Sequence, residues 1–248
     1  MKKLKYLILL FLVGFVAACN FTEEIHISNN GSGKLAINFD GNELMEMMSS
    51  LDSLKQDEAI DSTIVFKALL KEKSDSISKL PLEEQEKLRK LEPFSLHMVM
   101  KPEEQVMKFE LFSEFNDISE VKDAFNSFQN ASALSPPPGS NTSQAPPMGS
   151  SNPATEVNYN FTGNKFSRTT RIIDQELFEK SIDSMASAEM FLSSSKYTFK
   201  YHFPRRIKNV NVEGATFSMD GKTMIYEVSF LDMMKTPEKM DLQIELED

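Results

Sequence analysis

Tyr197-Thr198-Phe199-Lys200-Tyr201-His202-Phe203 alternates aromatic and polar side chains without a break. Successive side chains of an extended chain point to opposite faces, so this stretch predicts a strand with a ring-lined face and a wet face. Pro204 follows and stops it, because proline lacks the amide that a ladder needs. Such one-sided strands belong to antiparallel sheets with one covered face.

The same pattern recurs in both directions. Downstream, residues 216–219 and 222–230 flank Asp220-Gly221, a two-residue hairpin signal, and residues 240–247 set Leu242, Ile244 and Leu246 against Gln243, Glu245 and Glu247. Upstream, Val157, Tyr159 and Phe161 alternate with polar residues, Thr162-Gly163-Asn164-Lys165 makes a turn, and residues 166–172 return. Asp174 then caps a helix with Phe178, Ile182 and Met185 on one face. Nearer the N-terminus, residues 24–28 and 34–40 form a hairpin followed by a helix from Asn42. Residues 61–91 read as charged helix broken at Pro81, and residues 94–101 and 105–115 form another hairpin. Asp117 and Glu120 open a helix carrying the stripe Ile118, Val121, Phe125 and Phe128. The expectation is an α+β fold: an antiparallel sheet of about nine strands, built from hairpin–helix units, with helices packed on one face.

Residues 131–155, ASALSPPPGSNTSQAPPMGSSNPAT, hold six of the eleven prolines and no charge. Such composition cannot bury enough apolar surface to offset its ordering entropy, so it reads as a linker or exposed loop. It separates an N-terminal α+β region, 19–130, from a C-terminal one, 156–248.

The first eighteen residues have a separate logic. Lys2, Lys3 and Lys5 precede an apolar run over 6–18, too short for a bilayer span and suited to a secretory signal. The run ends Phe15-Val16-Ala17-Ala18-Cys19, small residues before the single cysteine, and this resembles the lipobox of bacterial lipoproteins. That resemblance implies cleavage before Cys19, thioether-linked diacylglycerol on its sulfur, and a membrane held through that lipid. Removing residues 1–18 leaves 230 residues and takes three lysines with it, so the net charge moves from −10 to −13. An acidic body of this kind excludes nucleic acid as a main partner and needs lipid rather than basic residues to stay at a membrane. With one cysteine, no intrachain disulfide and no cysteine-based zinc site can form.

Chemistry-bearing patterns are sparse. Residues 214–223, GATFSMDGKT, place six residues between glycines where a phosphate-binding loop has four, and Lys222 enters a strand rather than a helix. His26, His97 and His202 fall on the polar sides of three separate strands, which predicts surface histidines and no metal site. No nucleophile sits beside a base in any recognised motif, so the chain reads as non-enzymatic, with no cofactor. Two features bear on binding. Methionines gather at Met45, Met47 and Met48, at Met98, Met100 and Met107, and at Met233 and Met234, where soft side chains either fill a core or line an apolar groove. Arg205, Arg206 and Lys208 form a basic cluster that could meet a lipid phosphate or an acidic partner.

Residues 197–248 resemble a pattern of uncharacterised envelope lipoproteins of Bacteroidetes-type bacteria, through Phe203-Pro204, residues 207–209, Asp220-Gly221-Lys222 and the acidic last strand. More distantly they are similar to the LppM-type lipoprotein domain, an α+β domain associated with envelope glycolipids. The resemblance implies a lipid-anchored envelope protein, with the outer membrane favoured over the inner, that binds an apolar or lipid ligand. The second reading is a structural or assembly partner of other envelope proteins. Met98, Met100, Arg205, Arg206 and Lys208 are the expected contacts. Asn20 to Glu24 loosely resemble an acidic surface-export signal.

Overall fold

The computed structural model describes residues 20–50, 59–121, 124–134, 154–186 and 189–248. Cys19, the signal segment and residues 135–153 of the proline-rich stretch lie outside the described residues.

Twelve strands among the described residues form two sheets. The N-terminal region supplies β1 (Asn20–Ile27), β2 (Gly33–Asp40), β3 (Ile60–Val65), β4 (Ser95–Lys101) and β5 (Val106–Phe115). After the proline-rich stretch come β6 (Thr155–Thr162), β7 (Lys165–Ile172), β8 (Lys196–His202), β9 (Ile207–Val210), β10 (Thr216–Phe217), β11 (Thr223–Ser229) and β12 (Leu242–Leu246). The large sheet runs β10-β11-β8-β1-β2-β5-β4-β3 and the small one β6-β7-β12-β9. Both sequence regions therefore contribute to one eight-stranded sheet. They join at β1 and β8, which pair in parallel with Phe21 opposite Tyr197, Ile25 opposite Tyr201 and His26 opposite His202. The other pairings described are antiparallel.

Helices α1 (Asn42–Ser50), α2 (Phe66–Glu72), α3 (Ser74–Ile77), α4 (Leu82–Arg89), α5 (Ala124–Leu134), α6 (Gln175–Met185), α7 (Glu189–Leu192) and α8 (Phe230–Lys235) fill the connections. Asp174 caps α6 as its sequence predicts, accepting from the Leu177 amide at 2.9 Å. The stripe Ile118, Val121, Phe125 and Phe128 is buried, but it is split between a 3₁₀ turn, Ile118–Glu120, and α5.

Three expectations need correction. Residues 60–65 form the edge strand β3 rather than the start of a charged helix. Ile60, Thr63, Ile64 and Val65 are β-branched, and Ile60 and Ile64 reach the core across the alternation. The last hairpin strand stops at Ser229, whose hydroxyl accepts from Asp232 at 3.4 Å and starts α8, which buries Phe230 and Met233. Finally, the ring-lined face of the large sheet is covered not by helices alone. Phe125 of α5 meets Phe21 and Tyr197, at centroid distances of 5.7 and 5.6 Å, while Phe166 of the small sheet meets Tyr201 at 5.2 Å. The period of a single strand says which face is buried, and not whether a helix or another sheet buries it.

Between the two sheets lies an ion pair. Glu23 on β1 and Arg168 on β7 are both within a few per cent of complete burial, and the Arg168 Nε donates to the Glu23 carboxylate at 3.2 Å. Tyr197 donates to the other carboxylate oxygen at 2.8 Å, and Tyr201 donates to the same oxygen as Arg168. Arg168 also donates to Thr170 at 2.9 Å and lies over the Phe199 ring at 4.9 Å. Burial opposes the arginine charge, yet Glu23 and the surrounding tyrosines together hold the guanidinium protonated well above its ordinary range. Burial, with Glu23 beside them, pushes both tyrosine hydroxyls up and keeps them as donors. Glu23, which the sequence sets in a segment loosely resembling an acidic export signal, and Arg168 are both core residues.

Removing one partner of a buried pair leaves an uncompensated charge, which costs about 3–5 kcal/mol. Glu23→Gln should therefore lower unfolding stability in urea by that amount. Glu24→Gln, one residue on and facing solvent, should stay within about 1 kcal/mol of the parent. Equal losses at the two positions would contradict the assignment.

Candidate functional site

Strand alternation that sends Glu23 inward sends Glu24 and His26 to the opposite face of the large sheet. The parallel register sets Glu24 beside Lys200 and His26 beside His202. These residues converge: Glu24 Oε1 lies 3.0 Å from Lys200 Nζ, 3.0 Å from His202 Nε2 and 3.1 Å from His26 Nε2. The two imidazoles stack, with ring planes 7° apart and centroids at 3.9 Å. On the other side, Thr223 of β11 stands opposite His202 and its hydroxyl bonds His202 Nδ1 at 2.9 Å.

Burial on its own would raise the Glu24 carboxyl, but hydrogen bonds from Lys200 and both histidines outweigh it and hold it below the usual range. Burial depresses His202 below the ordinary histidine value of 6.5, and Glu24 only partly restores it. At neutral pH the cluster therefore holds an ionised carboxylate and a neutral His202. The expectation of unrelated surface histidines is corrected here. His26 and His202 come together because β1 and β8 are neighbours, a pairing between residues about 175 positions apart that no local spacing signals. His97 stays apart and bonds Asp61 at 3.0 Å. Among the described residues, Glu24, His26 and His202 are the group of histidine and acidic side chains whose donor atoms, all within 4.8 Å of one another, could hold a metal ion.

The surrounding face is open and mixes polar with apolar groups. A shallow hollow of about 600 Å³ beside His26 is lined by Ser28, Ser32, Gly33, Glu114 and Asn116 among others. Another, of about 430 Å³, sets Phe39, Val99 and Phe109 among polar groups that include Thr22, Asn38 and His97. At the sheet edge, the β10–β11 hairpin exposes Phe217, Met219 and Ile225.

The residues singled out from sequence lie elsewhere. Met100 is buried and Met98 half-buried, and both pack in the core, as do Met45, Met107 and Met233. The side chains of Met47 and Met48 lie outside the described residues. Arg205 donates to the Gly163 carbonyl at 2.6 Å, Arg206 faces Glu247 at 3.8 Å, and Lys208 pairs with Glu245 at 2.8 Å. The basic cluster thus clamps the ends of the small sheet and is not gathered around one ligand position. Among the described residues no helix is long and apolar enough to cross a membrane.

No protein-family model and no curated protein matches the chain. Among solved structures it is similar to the folded domain of the Mycobacterium tuberculosis LppM protein, determined by NMR, at 8% identity over 95% of each chain and a TM-score of 0.40. This is a distant structural resemblance.

Glu24 is the interaction that raises the His202 pKa against burial. Replacing it with glutamine should move that pKa further down in an NMR titration of the imidazole carbon-bound protons, while an upward move would mean that the two groups do not interact.

Proposed function

We propose that the protein is a non-enzymatic lipoprotein of a bacterial cell envelope, held by lipid on Cys19, that meets another envelope protein through the far end of its large sheet. The observation that carries this reading is where β1 begins. Asn20, the residue after the lipobox cysteine, is already paired with Asp40 on one side and Lys196 on the other. Lipid on Cys19 would then hold the body against the bilayer with no spacer. β1 would run away from the membrane for about 20 Å, six steps of roughly 3.3 Å, before reaching His26. The parallel partner β8 runs the same way, so His202 and the turn at Asp220-Gly221 lie at that distal end beside the exposed Met219.

Two observations favour a protein partner over an apolar ligand. Met45, Met98, Met100, Met107, Met233 and Met234, which could have lined a soft groove, pack in or against the core. The hollow beside His26 is open and lined mainly by polar groups, whereas small-molecule sites are concave and mostly apolar. A few exposed apolar side chains at a hairpin tip, rimmed by charge, suit a protein contact instead.

Replacing Cys19 with Ser should release the chain from the membrane fraction of its own cells; undiminished retention would remove the anchor. Native mass spectrometry of the released variant should give the bare polypeptide mass. A stoichiometric co-purifying lipid would reinstate the apolar-ligand reading.

A further inference from the structure

We propose that Glu24, His26 and His202 form a binding site for a divalent first-row transition-metal ion of the Zn²⁺ or Cu²⁺ kind. The inference stands on the cluster alone and does not depend on the lipid anchor.

Two imidazoles and one carboxylate, with no thiol, form a donor set that suits zinc, copper, nickel or cobalt and leaves positions for water. The distances fit such an ion. Glu24 Oε1 is 3.0 and 3.1 Å from the two Nε2 atoms. An ion at roughly 2.0–2.1 Å from nitrogen and oxygen would subtend angles of about 90° across those gaps, as tetragonal and octahedral coordination require. The stacked rings present their Nε2 atoms to the same carboxylate oxygen, and His26, the more exposed of the pair, has room to tilt.

The surroundings match what a ligating histidine needs. Thr223 holds His202 Nδ1 at 2.9 Å, which orients the ring and leaves Nε2 for the ion. All three donors sit on β1 and β8, adjacent interior strands of the eight-stranded sheet, so their backbones are fixed before any ion arrives. Lys200 completes the arrangement. Its ammonium, 3.0 Å from Glu24 Oε1, balances the carboxylate in the free protein and is long and exposed enough to swing away when an ion takes its place. A cluster held only by hydrogen bonds would need Lys200; a metal site has it as a competitor.

The test is calorimetric titration of the untagged chain carrying Cys19→Ser with Zn²⁺, and with Cu²⁺ followed by electron paramagnetic resonance. One saturable equivalent should bind, and the copper spectrum should show coupling to imidazole nitrogen. His26→Ala, His202→Ala and the near-isosteric Glu24→Gln should each weaken binding at least about tenfold, and Thr223→Val by about tenfold through the loosened ring. Lys200→Met should tighten it, and His97→Ala should leave it unchanged. None of these positions belongs to the buried core, and metal-free melting curves identify any variant that does not fold. Absence of a saturable equivalent would overturn the proposal, as would undiminished binding by a folded His26→Ala, His202→Ala double variant. Weaker binding in Lys200→Met would overturn the exchange between ammonium and metal.

Discussion

The fold is organised around one buried charge pair. A carboxylate and a guanidinium cannot leave water separately without a penalty of several kcal/mol each, so Glu23 and Arg168 constrain where β1 and β7 can lie. Glu23 must face the small sheet, and Tyr197 and Tyr201 must flank it from β8. A slip of β1 by one residue would turn Glu23 to solvent, carry Glu24 into the core and abandon Arg168 without a counter-charge. Hydrophobic burial supplies most of the driving force, with Phe21 alone touching Phe39, Phe125 and Phe230. Aromatic packing tolerates small shifts, however, whereas a saturated polar network has one satisfied arrangement. The pair therefore fixes register more than it adds stability.

Local structure was legible because its signals are local. The alternation of residues 197–203, the turns at Gly163 and Gly221 and the cap at Asp174 all act within a few residues, and the structure contains each of them. Both glycines take positive φ, +65° and +69°, where a Cβ would be strained. The errors share a cause as well. β3 is a short edge strand with solvated Asp61, Ser62 and Thr63, so its polarity resembled that of the charged helices after it. The second sheet is not legible because a strand's sequence records that it is covered and carries no record of what covers it.

The candidate site was illegible for a stronger reason. His26 and His202 are legible as histidines on polar strand positions, but their meeting with Glu24 depends on a parallel β1–β8 pairing across most of the chain. The clean alternation favours antiparallel neighbours, and the one parallel pair among the described residues is the exception that matters. Arg168 shows the same limit. Its place in the alternation, between Phe166 and Thr170, marked it as inward-facing, and only the unfavourable energy of burying an arginine argued otherwise. The partner that removes that objection is 145 residues away.

Glu23 and Glu24 show how one strand serves two ends. The side chains are chemically identical and adjacent, yet one is enclosed between sheets by an arginine and two tyrosines, and the other meets water beside two histidines and a lysine. The inner glutamate sets the register, and the register alone brings the outer glutamate and both histidines within reach of one another. An ion bound between His26 and His202 would in turn bridge β1 to β8, strands whose pairing closes the longest loop in the sheet. Loop closure of that length costs conformational entropy on folding, and a ligand that binds only the paired strands returns part of it as stability. Inner pair and outer cluster thus act on the same β1–β8 seam from opposite faces. A lipid on Cys19 would pull on that seam along its length, where the ladders on both sides of β1 share the load.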